Sequence, residues 1–180
     1  MAVFLHICTL KIYFNTMGLK LIALAATMFF ITAWYEMSGI RESYVNATTS
    51  EVGAGKFYSR LETVEDSHPN STIVAYKAAS IVLKARYESG LFAKAKLFNR
   101  GTELLDATIA KAPADYEARL IRLNIQDNVP WITGYTSDIK KDKAFLVANY
   151  AKQAPDLKAF AKAYVVQSDA FTEREKAAFN

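Results

Sequence analysis

Apolar positions between residues 39 and 180 recur at the spacing of an α-helix. The clearest stripe, with apolar or small residues three or four positions apart, runs through residues 92–112 and comprises Leu97, Phe98, Gly101, Leu104, Leu105, Thr108, Ile109 and Ala112. Similar stripes predict further helices over residues 40–49, 51–66, 72–88, 115–127, 138–152, 156–167 and 173–179. Because no long segment alternates apolar and polar residues as a strand would, the pattern predicts an all-α fold.

Three prolines divide these predicted helices at nearly equal intervals. Pro69, Pro113 and Pro155 are separated by 44 and 42 residues, and polar residues suited to helix capping follow each one. Proline disfavours helix in the residue before it, so each one is expected to separate two helices. Between the first two prolines, Glu88-Ser-Gly90 marks a turn, in which Gly90 is able to take the left-handed conformation found at helix ends. The repeat predicts stacked antiparallel helical hairpins, which form a short α-solenoid.

The N-terminal segment has the features of an export leader. Lys20 is followed by an uncharged apolar run from Leu21 that reaches Tyr35 at most, before Glu36. This length favours a signal peptide within residues 1–38 over a membrane-spanning anchor. Residues 39–180 then form a single helical-repeat domain, exported to the periplasm or cell envelope. The alternative is an uncleaved N-terminal helix that anchors the domain and gives it contact with the membrane.

Met17 is an alternative start of the protein, because it begins the short positive segment Met17–Lys20 that precedes the apolar run. If the protein starts there, residues 1–16 are an upstream extension of the gene. The single cysteine, Cys8, lies inside the leader, so we expect no disulfide within the mature chain.

Charge and residue types exclude several classes of function. The formal charge is only +4 and basic residues alternate with acidic ones, so we expect no nucleic-acid partner. The two histidines are His6 and His68, which leaves no Cys/His set for a metal ion or for nucleophilic catalysis. We therefore expect no catalytic residues, no metal and no cofactor. The alternative is an envelope hydrolase, whose buried carboxylate would be found among Glu62, Glu103 and Glu117.

Two resemblances agree with the helical prediction. The passage from Ile109 to Ala118, with its Ala-rich turn, Pro113 and a Glu-Ala pair, resembles the junction between tetratricopeptide repeats. The spacing is longer than the roughly 34 residues usual in that repeat, and its first-helix Trp and Gly are not found in phase. Across residues 56–178 the chain looks like a family of small, leader-bearing proteins of Bacteroidetes-type bacteria, on the motifs Tyr76-Lys-Ala, Leu97-Phe-Asn-x-Gly101, Glu117-Ala-Arg-Leu-Ile-Arg122 and Asn128-Val-Pro-Trp-Ile-Thr-Gly-Tyr135. These resemblances imply a tetratricopeptide-like fold and export, and no activity.

The segment 128–137 is the first candidate site, because it is longer than a hairpin repeat requires. It contains Asn128, Trp131 and Tyr135, and aromatic residues on a loop held by a rigid scaffold often contact partners. The alternative is that Trp131 and Tyr135 fold back and cover the end of the helical stack.

Arg119 and Arg122 are the second candidate, since they lie one helical turn apart and close in sequence to that loop. They could bind an anionic group or a peptide carboxylate. The alternative is that they pair with acids on a neighbouring helix or face solvent. The sequence therefore suggests a non-catalytic interaction or scaffolding module with a protein or peptide partner. A tethered structural protein remains a further possibility if the leader is retained.

Overall fold

The computed structural model describes residues 37–180, and this part of the chain is all-helical, without a β-strand. Contacts within the chain separate two units, Met1–Ile40 and Arg41–Asn180. Of the first unit, residues 37–40 are described and are helical. The predicted leader up to Glu36, the alternative start at Met17, and Cys8 lie outside the described residues.

Eight α-helices follow one another along residues 37–180. They are α1 (residues 37–49), α2 (Glu51–Leu61), α3 (Ser71–Tyr87), α4 (Leu91–Lys111), α5 (Tyr116–Asn128), α6 (Ile139–Asn149), α7 (Pro155–Gln167) and α8 (Glu173–Lys176). Short 3-10 turns occur at Trp131–Thr133, Tyr150–Lys152 and Ala177–Phe179. Within the described part, no helix is both long enough and apolar enough to cross a bilayer.

The expected side chains cap the helices that follow Pro69 and Pro113, but not the one that follows Pro155, where Ala154 is the N-cap and no side chain caps the helix. Asn70 accepts hydrogen bonds from the amides of Thr72 and Ile73 at the start of α3, and Asp115 caps α5 in the same way. Pro155 is itself the first residue of α7, where its missing amide donor costs nothing. The sequence spacing of Thr172 and Glu175 predicts a capping box before the last helix, and the structure confirms it at the start of α8. Pro155 thus begins α7, whereas Pro69 and Pro113 lie just before the caps of α3 and α5.

The predicted turn at residues 88–90 is present, and Gly90, with φ of −85°, serves as the extended N-terminal cap of α4 without using the left-handed conformation. Some predicted helix ends were wrong. The predicted helix 51–66 ends at Leu61, and the predicted helix 138–152 changes to a 3-10 turn at Tyr150. Among the described residues, Gly134 is the one with positive φ, at 68°.

Helix α3 is buried on most of its circumference because α2, α4 and α5 all pack against it. Its alanines keep it narrow, and its buried residues include Val74, Ala75, Tyr76, Ala78, Ala79, Ile81 and Val82. Helix α4 lies close against α3 at Gly101, where an added Cβ would lie 2.6 Å from Val82 Cγ2 and 2.8 Å from the Ala78 carbonyl oxygen. The missing side chain therefore sets the distance between α3 and α4.

Helix α5 joins this layer to the C-terminal helices. It packs against α3, α4, α6 and α7. Between α5 and the helices that follow it in the chain lies a hydrophobic core, which comprises Tyr116, Leu120, Leu123, Leu146, Tyr150, Ala161, Val165, Phe171 and Phe179. The rings of Tyr150 and Phe179 lie 4.6 Å apart, so the last residues of the chain close this core.

The close approach at Gly101 gives a stability prediction. Gly101→Ala places a methyl group against Val82 and a backbone carbonyl that cannot move cheaply, so we expect a loss of about 1–3 kcal/mol in unfolding free energy. Gly55→Ala is the matched control, because Gly55 is exposed in α2 and a Cβ there meets no atom within 4 Å. That change should stabilise the protein by about 0.5–1 kcal/mol through helix propensity. Urea unfolding of both variants measures the difference, and equal effects would contradict the packing explanation.

Candidate functional site

Arg119 and Arg122 of α5 meet a buried carboxylate of α6. Asp142 Oδ1 accepts hydrogen bonds from Arg119 Nη1 at 2.7 Å and from Arg122 Nη2 at 2.9 Å, and Asp142 Oδ2 accepts from Arg122 Nε at 2.7 Å. The side chain of Asp142 is 0% exposed and the arginine side chains are nearly buried. We call this group, together with Asp106 and Asp138, the α5–α6 ion cluster.

Both arginines are held by hydrogen bonds to partners inside the protein. Arg122 Nη1 also donates to Asp106 Oδ1 at 3.0 Å, and Asp138 lies 3.5 Å from Arg122 Nη2. Burial lowers the pKa of Arg122, but the hydrogen bonds to Asp142 and Asp106 outweigh it, and the net shift is upward. Arg119 Nε donates to the Pro113 carbonyl oxygen at 2.8 Å. Its guanidinium lies 4.5 Å from the centre of the Phe145 ring, so neither arginine is available to a ligand in this arrangement.

The ion cluster extends to the candidate loop through Asp106. Tyr135 Oη donates to Asp106 Oδ1 at 2.9 Å, and the Tyr135 ring packs edge-on against Phe98 of α4 at 6.0 Å. Burial raises the pKa of Tyr135, and the charge of Asp106 raises it further, so the phenol remains a donor at physiological pH. The second half of the loop is thus fixed to α4.

The first half of the loop forms a tight turn that points its side chains outward. The amide of Thr133 donates to the Pro130 carbonyl oxygen at 2.9 Å, and the amide of Gly134 donates to the Trp131 carbonyl oxygen at 3.0 Å. Gly134 can take the left-handed conformation that ends the turn because it has no Cβ. Trp131 and Ile132 are left 84% and 77% exposed.

The structure thus connects Arg119, Arg122 and Tyr135 through shared acids, while Trp131 projects into solvent. Asn128 does not join them, since its Nδ2 donates back to the Asn124 carbonyl oxygen of its own helix at 2.8 Å. The connecting acids Asp106 and Asp142 were not selected from the sequence. Their spacing to the arginines is 16 and 20 residues or more, so no local motif relates them.

A second buried charge cluster surrounds Glu117. Its two oxygens accept from Arg41 Nε at 2.7 Å and Arg41 Nη2 at 2.8 Å, and Tyr76 Oη donates to Oε1 as well. Arg41 Nη1 also donates to Asp156 Oδ2 at 2.6 Å. Both oxygens of Glu117 are therefore held by internal donors.

The other two carboxylates of the hydrolase alternative, Glu62 and Glu103, are exposed. Within residues 37–180, no three side chains of His, Cys, Asp or Glu are grouped so that they could bind a metal ion.

No family model, curated protein or solved structure matches this chain.

The bridging role of Asp106 can be tested by mutation. Asp106→Ala removes the acceptor shared by Arg122 and Tyr135, so we expect a loss of about 1–2 kcal/mol in unfolding free energy and faster amide exchange at Thr133 and Gly134. Glu103→Ala, on an exposed position of the same helix, is the control and should change neither quantity. Unchanged exchange of the loop amides in Asp106→Ala would show that the loop is held by other contacts.

Stability should also fall in acid. The hydrogen bond from Lys77, with help from Arg100, lowers the pKa of Asp66 below 3.8. The pKa of Asp156 is also lowered, because the hydrogen bond and charge of Arg41 outweigh its burial. A lowered folded-state pKa stabilises the protein above the unfolded value, and this stabilisation is lost as pH falls through the folded value.

We therefore expect the urea midpoint to decrease as pH is lowered below about 4, and to decrease less in Asp66→Asn. Because Asp66 is 41% exposed, solvent screening limits its share to about 0.5–1 kcal/mol. Lys77→Met should reduce the pH dependence in the same direction. An identical pH profile for wild type and Asp66→Asn would refute this assignment.

Proposed function

We propose that this chain is a non-catalytic interaction module that binds a protein or peptide partner through the surface formed by Trp131 and Ile132. The observation that carries the proposal is the exposure of both side chains on a turn that is itself fixed to the helices. A large aromatic side chain held in water loses the free energy that burial would provide. Contact with a partner recovers it.

The rigidity of the turn supports binding. Ordering a loop on association costs conformational free energy, and a loop that is already ordered avoids that cost. Here Tyr135, Gly134 and the two backbone hydrogen bonds hold the turn in place. Tryptophan is also the residue type most enriched among the side chains that dominate binding energy at protein interfaces.

The two buried charge clusters support a structural role, not a catalytic one, for the carboxylates of Glu117 and Asp142. Glu117 accepts hydrogen bonds from Arg41 and Tyr76, and Asp142 accepts them from Arg119 and Arg122. Both oxygens of each carboxylate are therefore bonded to donors within the protein. A catalytic acid or base must be able to exchange a proton with a substrate. This pairing favours the interaction module over the hydrolase alternative.

The finer description of the fold belongs to the same proposal. The packing of α3 on α4 across a three-residue turn, and of α5 on α6, supports successive helical hairpins of the tetratricopeptide-like kind. Export to the periplasm or cell envelope rests on the apolar run after Lys20. The mass of the chain isolated from cells separates a cleaved, free form from a tethered one.

Trp131→Ala tests the proposed surface. A partner is first identified by photo-crosslinking from position 132 in the native envelope, and its affinity for the purified chain is then measured. We expect Trp131→Ala to weaken binding about 30-fold or more without changing the unfolding free energy, because Trp131 is exposed.

Val166→Ala, which changes an exposed apolar residue on α7, is the matched control and should leave the affinity unchanged. Equal affinities of wild type and Trp131→Ala, or no crosslinked partner above background, would refute the proposal.

A further inference from the structure

The turn between α3 and α4 carries a second exposed apolar surface. Leu91 and Phe92, the first residues of α4, are 78% and 91% exposed. Ala95 and Lys96, one helical turn later, are exposed on the same side of the helix. We call residues 84–100 the α3–α4 tip. The side chains of Leu91 and Phe92 therefore stand out from the beginning of a helix.

Positive charge is concentrated at this tip. It contains one acidic residue, Glu88, and five basic residues, which are Lys84, Arg86, Lys94, Lys96 and Arg100. The net charge of these 17 residues is thus +4, equal to the formal charge of the whole chain, so the remaining residues balance. The sequence expectation that basic and acidic residues alternate throughout is wrong for this segment.

Most of this charge is not neutralised internally. Arg100 pairs with Asp66, but within residues 37–180 the other four cations have no carboxylate partner. Lys94 Nζ donates to the Arg86 carbonyl oxygen at 3.2 Å, which keeps its ammonium group beside the turn. Helix α4 also begins without a side-chain cap or an acidic residue in its first turn, so its free amides add positive potential.

We propose that the α3–α4 tip docks on the surface of an anionic lipid bilayer. Leu91 and Phe92 enter the boundary between headgroups and acyl chains, and Lys94, Lys96 and Arg86 contact lipid phosphates. Each cation near an anionic membrane strengthens binding roughly fivefold. Apolar side chains flanked by basic ones are the combination that interfacial binding requires.

The shape of the tip favours a bilayer over a protein or a nucleic acid. The exposed side chains protrude from a helix end, and a fluid bilayer accepts protruding groups without a shaped pocket. A nucleic acid would neutralise the cations but would leave Leu91 and Phe92 in water. This inference does not depend on the partner surface at Trp131, which lies on a different loop.

Amide hydrogen exchange of the full chain provides a local test. The amides of Leu91, Phe92 and Ala93 have no acceptor within the helix and should exchange rapidly in water. Vesicles of phosphatidylcholine with phosphatidylglycerol should slow their exchange roughly tenfold or more, whereas phosphatidylcholine alone should not. The phosphatidylcholine vesicles also control for membrane binding by the apolar N-terminal segment, because insertion of an apolar segment does not require anionic lipid.

Variants separate the two contributions. Leu91→Ser with Phe92→Ser, and separately Lys94→Glu with Lys96→Glu, should abolish the protection by anionic vesicles. Lys140→Glu with Lys141→Glu changes the net charge by the same amount on α6 and should keep the protection. Equal protection by neutral and anionic vesicles, or equal loss in the α6 control, would overturn the proposal. Protection that requires a soluble protein instead of vesicles would overturn it as well.

Discussion

The burial of charge on α5 is the constraint on which the rest of this structure depends. Moving a carboxylate or a guanidinium out of water costs several kcal/mol unless opposite charge and hydrogen bonds surround it. Asp142 is fully buried, and its oxygens are satisfied by Arg119 and Arg122 alone among the described residues. Glu117, which lies on α5 as the two arginines do, obtains its donors from α1 and α3. These pairs fix which helices lie against α5, because a shifted helix would leave a buried charge unpaired.

The same constraint reaches the surface. Arg122 positions Asp106, Asp106 accepts from Tyr135, and Tyr135 holds the turn that presents Trp131. The exposed Trp131 side chain, although it lies on a loop, is thereby attached to the rigid helical core. The α3–α4 tip is built differently, since close packing at Gly101 joins the two helices. Their common end carries Leu91 and Phe92 beside four cations that have no carboxylate partner within residues 37–180.

Local features of the sequence predicted most of the helices and their starts, because periodicity, proline and capping side chains act over a few residues. The Thr172 capping box and the Asn70 cap are examples. Long-range contacts decided the rest. Arg41 and Glu117 lie 76 residues apart, so no spacing could indicate their pairing. Likewise, the apolar pattern of α4 contains Leu91 and Phe92 but does not show that the neighbouring helices leave them uncovered. A glycine in a short turn can end one helix or begin the next, and only the structure shows that Gly90 begins α4.

A double-mutant cycle between Arg122 and Asp142 tests most directly whether the buried ion cluster holds α6 against α5. Unfolding free energies are measured for wild type, Arg122→Met, Asp142→Leu and the double variant. We expect each single variant to be strongly destabilised and the double variant to recover part of the loss, with a coupling energy of about 2–3 kcal/mol. A coupling energy below about 0.5 kcal/mol, the value typical of exposed ion pairs, would contradict the central role given to this cluster.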